Sequence, residues 1–337
     1  MEAMTSPTGP RLPSRREFLA LGAGAFVVAT VPLVRSRRSR RLVRRKVPMM
    51  GTIAEVAIVH SDRRYAQGAI DAALTELALV ERTMSRFRDD SDVGRANLGA
   101  DAAPVEVTEG TAIVLAEALQ WAQATDGAFD PSLARAVALW DVASRVAPPP
   151  EAAYARYAGR HLHRALELDR SGGRARVLFH EADIGIDLGG IAKGYGVDRA
   201  VEVLRAWGVS DALVNVGGDL YVLGVSEDGD PWKVGVRSPT DPSRLTTTVR
   251  LIDRAVATSG DYEQFFDSDG RRYHHILDPA TGGPRRSESH SVTVVADTCM
   301  TADVAATAVF GSPRARAIAL LDDVTRDAEL LHPTHSL

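Results

Sequence analysis

Ile186-Asp187-Leu188-Gly189-Gly190-Ile191-Ala192-Lys193-Gly194-Tyr195-Gly196-Val197-Asp198 sets a carboxylate, a bare glycine corner and a lysine at the mouth of a helix. Two consecutive glycines let the main chain approach a ligand closely, and the first N–H groups of a helix attract anions because they have no internal partner. A P-loop needs Gly-Lys-Ser/Thr and a dinucleotide fingerprint needs Gly-x-Gly-x-x-Gly. Here Lys193 precedes Gly194, so neither pattern is met. The same letters also suit a tight strand-to-helix turn whose glycines only allow close packing.

Around this stretch, from residue 164 onward, the chain is a series of short apolar strands: 165–168, 176–179, 212–216, 220–223, 232–236, 246–251, 273–277 and 291–296. Helical patterns interrupt them at 190–207 and 298–310. On the other side lie a strand at 52–60 and an amphipathic helix at 63–85, with Ile70, Leu74, Leu77, Val80 and Met84 near the helical period. A polar loop follows at 86–97, then a helix at 111–125 that stops at Asp126-Gly127, and a connector at 128–132 opening another short helix. Strands joined by turns, with helices between only some, predict an α+β fold with mixed or antiparallel sheets and packed helices rather than a doubly wound parallel sheet. No repeat recurs at a fixed period, and Ala147-Pro148-Pro149-Pro150 reads as a surface loop within the domain.

Residues 1–46 read as a targeting segment. Ser14-Arg15-Arg16-Glu17-Phe18-Leu19 has the twin-arginine form, and the uncharged run 19–34 is shorter than a membrane span usually requires. Export is therefore expected, with the body outside the cytoplasm. The basic stretch that follows, Arg35 to Lys46, resists translocation and no Ala-x-Ala site closes the run, so the alternative is an uncleaved amino-terminal anchor with a cytoplasmic body. No cysteine follows the run, which excludes lipoprotein processing. The segment holds 11 of the 40 Lys+Arg and 2 of the 44 Asp+Glu, leaving 29 against 42, about −13, for residues 47–337. Such an acidic body excludes general attraction to nucleic acid, and an anionic ligand must be met by local groups or a metal. Cys299 is the only cysteine, so no intramolecular disulfide forms.

Asp303 and Thr307 lie four apart in an alanine-rich helix and share a face. A carboxylate and a hydroxyl among small apolar neighbours suit a hard cation such as Mg2+; the plainer reading is a helix-start aspartate and a threonine bonded back to a carbonyl. His274 and His275 are adjacent in a strand, so they face opposite sides and at most one serves a given site. Thr258-Ser259-Gly260-Asp261-Tyr262 places hydroxyls and amides on a turn, and Asn215-Val216-Gly217-Gly218-Asp219 is a second Gly-Gly-acid corner. Zinc is not expected, because no His, Cys and carboxylate cluster has its spacing.

Together these pieces form an ordered pattern: Met50-Gly51-Thr52, Met84-Ser85-Arg86-Phe87 with Asp92 and Asn97, Gly127-Ala128-Phe129-Asp130-Pro131, the stretch 187–195, Asn215 to Asp219, Thr258 to Tyr262, His275-Ile276-Leu277-Asp278-Pro279 with Thr281-Gly282, and Asp303 with Thr307. From residue 49 to about 320 the pattern resembles the FAD:protein FMN transferase, or ApbE-like, family. The resemblance implies two interleaved lobes with the active site in the cleft between them. It also implies a Mg2+-dependent enzyme that moves the FMN half of FAD to a threonine or serine hydroxyl of an acceptor protein and releases AMP. The acceptor would be a subunit of a membrane respiratory or redox complex. Carried over by position, Met50, Phe87, Ala128, Phe129, Asp130, Asp187, Lys193 and Ile276 would contact FAD, and Gly190, Asp303 and Thr307 would hold Mg2+. A hydroxyl nucleophile needs a proton acceptor; His275 is the candidate base and Asp261 its rival. FAD pyrophosphatase activity and non-catalytic flavin carriage are the alternatives.

Overall fold

The computed structural model describes residues 26–28, 40–241 and 243–331. The twin-arginine motif and most of the expected leader lie outside the described residues. The strands and helices used below are, in chain order, β1 (Phe26–Val28), β2 (Arg41–Met49), β3 (Thr52–His60), α1 (Arg63–Met84), α2 (Asp92–Gly99), β4 (Val105–Val107), α3 (Glu109–Ala124), α4 (Ala134–Trp140), α5 (Glu151–Ala155), β5 (Leu166–Asp169) and β6 (Ala175–Phe179). They continue with α6 (Ala192–Ala206), β7 (Ala212–Val216), β8 (Asp219–Leu223), β9 (Trp232–Arg237), β10 (Leu245–Leu251), β11 (Arg254–Gly260), β12 (Phe265–Ser268), β13 (Arg271–His274), β14 (Leu277–Asp278), β15 (Gly283–Pro284), β16 (Ser291–Ala296), α7 (Cys299–Val309), α8 (Arg314–Val324) and β17 (Glu329–Leu330).

The central sheet has seven strands in the order β17-β16-β11-β8-β7-β3-β2, and every pairing in it is antiparallel. The expected α+β class is what forms. Tight turns make the sheet possible: β2 reverses into β3 through Met50-Gly51, and β7 into β8 through Gly217-Gly218. Period-two alternation then sends Ala54, Val56 and Ile58 to one face and Ala57 and Val59 to the other. The first face packs on α1, α6 and the start of α7; the second is covered by β9 and β10, with Trp232 at its centre. A further core gathers α2, α3, α4 and the small sheet β4-β6-β5.

Helix α7 joins these cores. Cys299 and Ala302 pack toward the central sheet, whereas Val304, Ala305, Ala306, Ala308 and Val309 belong to the core around α3. Most of the helix is buried, and its alanines let the neighbouring elements come close.

Several boundaries differ from expectation. Strand β2 begins at Arg41, so residues 41–46, read as part of the leader, pair with β3 along the edge of the sheet. The loop expected at 86–97 gives way at Asp92 to α2, capped by Ser91, whose hydroxyl accepts from Gly94 N at 2.8 Å. The strand expected at 273–277 breaks after His274, because the chain leaves its pairing with β12 there and joins β15 instead.

Candidate active site

The glycine turn is anchored before it reaches the helix. Asn97 of α2 donates to the Ile186 carbonyl at 2.9 Å and accepts from the Ile186 N–H at 2.6 Å, while Asp187 N donates to the Pro131 carbonyl at 2.8 Å. The Asp187 carboxylate accepts from Gly189 N at 2.8 Å and pairs with Arg86 at 3.0 Å. The Arg86 guanidinium lies 4.1 Å from the centre of the Phe87 ring, and Phe87 is 79 % exposed. A large ring so exposed contributes little to the core, and its open face is available for stacking.

Gly190 then brings the turn against α7. A Cβ at that position would stand 3.0 Å from Thr307 Cγ2 and 3.3 Å from the Phe129 ring, tight enough that a neighbouring side chain would have to shift. The Thr307 hydroxyl is 3.2 Å from Ser259 Oγ, at the end of β11. Three chain segments therefore meet at Thr307.

One turn earlier on α7, Asp303 is 2 % exposed and its Oδ2 accepts from Gly194 N at 3.0 Å. Its Oδ1 lies 3.3 Å from the Lys193 ammonium, which also pairs closely with the equally buried Asp219 at the start of β8. Burial alone would pull Lys193 down, but Asp219 and Asp303 outweigh it and hold the ammonium charged well above the usual lysine range. The Asp219 carboxyl is raised by burial and then by Asp303, with Lys193 opposing. Glu263, much of whose surface meets solvent, has its carboxyl pushed up to about 7, first by the protein packed around it; Lys193 opposes this and Asp303 adds to it.

Among the described residues no group of three or more His, Cys, Asp and Glu side chains could hold a metal. Gly190, Asp303 and Thr307 would instead offer a carbonyl, one carboxylate and a hydroxyl. An all-oxygen set with a single charge suits Mg2+, which keeps several waters and shares itself with phosphate oxygens rather than taking a full protein cage. Gly190 lying against Thr307, with Asp303 one turn away, is compatible with such a set.

The hairpin of β12 and β13 presents the histidines. His274 is buried; its Nδ1 accepts from Ile276 N at 3.3 Å, so its Nε2 carries the proton given to the Arg285 carbonyl at 2.7 Å. Burial lowers its pKa, and the ring is neutral and structural. His275 lies just past the end of β13, so the alternation expected of a strand does not apply to it, and its Nδ1 is 3.4 Å from the Gln264 carbonyl. A carbonyl only accepts, so Nδ1 carries the hydrogen and Nε2 keeps a free lone pair. Although part of the residue reaches solvent, burial around the ring, then His274, pulls its pKa down to about 4.

The family model described as the ApbE family matches residues 50–331. The chain belongs to the ApbE family. It is 37 % identical over 290 residues to a protein named FAD:protein FMN transferase from Treponema pallidum, covering 81 % of this chain and 79 % of that one. A protein of the same name from Vibrio cholerae is 34 % identical over 284 residues, covering 81 % and 82 %. Among solved structures, the ApbE protein of Thermotoga maritima superposes with a TM-score of 0.77 at 30 % identity, covering 86 % of this chain and 94 % of that one. The flavin transferase ApbE from Vibrio cholerae gives 0.72 at 31 % identity, covering 84 % and 90 %.

In this ApbE-family chain the other residues expected at the site differ in their surroundings. Met50 packs against both cores beside α1, its N–H donating to Glu81 at 2.8 Å. Phe129 lines the turn at Gly190, and Ile276 is buried after the histidines. Asp130 turns its carboxylate inward, to His163 at 3.2 Å and Ser132 N at 2.8 Å, leaving the side chain 1 % exposed. Asp261 is engaged by His290 at 2.9 Å and Arg272 at 3.6 Å. Sequence reading assigned no role to Arg285, whose half-buried guanidinium donates to the carbonyls of Thr307 (3.3 Å), Ala308 (3.0 Å) and Phe310 (2.9 Å) at the end of α7 and reaches the Ala128 carbonyl. Nor did it pair Lys193 with Asp219. The only signal for either was an unexplained charge beside a Pro or Gly corner.

Proposed function

We propose that this chain transfers the FMN half of FAD to a threonine or serine hydroxyl of an acceptor protein and releases AMP. The relatives' name supports flavin transfer, and the junction of Gly190, Lys193, Asp303 and Thr307 carries the finer reading. The acceptor oxygen bonds to the FMN phosphorus, the bridging P–O bond to AMP breaks, and the hydroxyl proton leaves to a base. His275 Nε2 is that base, since its lone pair is free and the ring is neutral at neutral pH. Lys193, kept charged, lies beside the phosphates as a fixed positive group, and the exposed Phe87 ring offers a stacking surface for the flavin or adenine. Mg2+, when bound by Gly190, Asp303 and Thr307, would draw charge from the diphosphate and ease departure of AMP.

The acceptor is a subunit of a membrane redox complex, and the twin-arginine segment carries the enzyme to the same side of the membrane. Among the described residues no helix is long and apolar enough to cross a membrane. The deciding experiment incubates the protein with FAD, Mg2+ and a candidate acceptor and looks for flavin fluorescence that survives denaturing electrophoresis. Labelled acceptor supports transfer. Free FMN with no label makes the protein a pyrophosphatase, and unchanged FAD makes it a carrier.

A further inference from the structure

Asp198 plays no part in the chemistry above, yet its carboxylate ties the start of α7 to α6. Its Oδ1 accepts from Cys299 N at 2.7 Å and its Oδ2 from Met300 N at 2.8 Å, the first two amides of α7. In return Asp303 of α7 accepts from Gly194 N, the third amide of α6, at 3.0 Å. Each helix thus has free N-terminal amides satisfied by a carboxylate of the other. Gly194 and Asp198 are four apart and share the contact face. Glycine is required there, since a Cβ at 194 would stand 2.3 Å from the Cys299 carbonyl oxygen.

The geometry points to Asp198 as a positioning residue for the reaction. By gripping the start of α7 it sets the height of that helix against α6, and so sets where Asp303 stands relative to Gly194, Lys193 and the bound cation. Each Asp198 oxygen accepts from one amide of α7, so the carboxylate is turned to that helix end. Helix α7 also has its own cap: Thr298 Oγ1 accepts from Thr301 N at 3.2 Å. That cap stabilises the same helix end without touching α6, so it separates a loss of helix stability from a loss of position. The inference rests on the reading of Asp303 as a cation ligand.

The test uses the full chain, with Asp198→Asn, Thr298→Ala and Asp303→Asn. In Asp198→Asn the amide NH2 group faces an N–H that it cannot accept from, so one of the two grips is lost. Two readouts are taken: hydrogen exchange at the Gly194 amide, and Mg2+ binding by calorimetry. Asp198→Asn is expected to speed exchange at Gly194 and weaken Mg2+ binding, each by about tenfold or more, with Thr298→Ala leaving both near wild type. Unchanged protection of Gly194 in Asp198→Asn, or equal loosening in Thr298→Ala, overturns the proposal. If Asp303→Asn binds Mg2+ like wild type, the cation reading fails, and Gly194 exchange still decides whether Asp198 positions Asp303. Should Asp198→Asn not fold, Asp198→Glu carries the test: the charge is kept but displaced by one carbon. A raised KM for Mg2+ with unchanged kcat at saturating Mg2+ then supports the proposal, and an unchanged KM overturns it.

Discussion

His275 titrates in the folded protein near 4, below the ordinary 6.5. The unfolded chain therefore binds its proton first as pH falls, so the stability this group contributes is fully present above about pH 6.5 and is lost between there and pH 4. As the base it stays competent through the same window. The acid limb of kcat/KM is expected near pH 4 to 5, and a limb at 6.5 in the rate profile would remove His275 from that role. His275→Ala should lower kcat by about 10²-fold or more while FAD binding, followed by flavin fluorescence, is kept. A second residue-scale expectation concerns Lys193, which Asp219 draws away from Asp303. Asp219→Asn leaves the ammonium paired with Asp303 alone, where it competes with the cation, so Mg2+ affinity measured by calorimetry should fall about tenfold. The spacing of Asp303 and Thr307 was legible in sequence because a helix repeats every 3.6 residues. The pairing of Lys193 with Asp219, 26 residues away across the α6–β8 connection, was not, because no local period links them.

Elements built on strong periodicity match their predicted spans closely: α1 ends one residue before the predicted boundary, and β3, β7 and β16 coincide with theirs. Helix α2 escaped notice because Gly94, Asn97 and Gly99 weaken its intrinsic preference. Burial of Val93 and Ala96 stabilises it, as does Asp92, which accepts from Thr108 N at 2.8 Å and from the Thr108 and Thr111 hydroxyls at 2.6 and 2.7 Å. Burial would raise the Asp92 carboxyl, yet those bonds and Arg95 hold it below the usual range. At the α6–α7 contact, Gly194→Ala forces a methyl against backbone and should cost about 1–3 kcal/mol, read as a lowered Tm in thermal unfolding. Arg285→Met strips the terminal carbonyls of α7 of their donor and should lower stability by about 1–3 kcal/mol for each carbonyl left without a partner, read in denaturant titration.

On the scale of the molecule, β2 shows how a basic stretch can be read two ways. Arg44, Arg45 and Lys46 look like the flank of a leader, yet the strand that carries them pairs with β3 from Arg41 opposite His60 to Met49 opposite Thr52. Arg45 pairs with Asp71, and Lys46 lies 2.9 Å from Glu55. Charged side chains on an edge strand also discourage pairing with another molecule. A chain starting at residue 47 loses most of the edge strand and should melt several degrees lower than one starting at residue 40, about 2–4 °C for each kcal/mol lost.

By itself the sequence determined the α+β class, the strand and helix periods, the glycine corners and the family pattern, because periods and corners depend on residues within a few positions of one another, and the class and pattern on the order of such local pieces along the chain. Only the tertiary structure decided which charges meet. Lys193, Asp219 and Asp303 come from three elements, and Arg285 and Asp198 secure opposite ends of α7 from segments distant in the chain. Electrostatic attraction and hydrogen bonding act over a few ångströms of space, and folding alone brings those residues within that range.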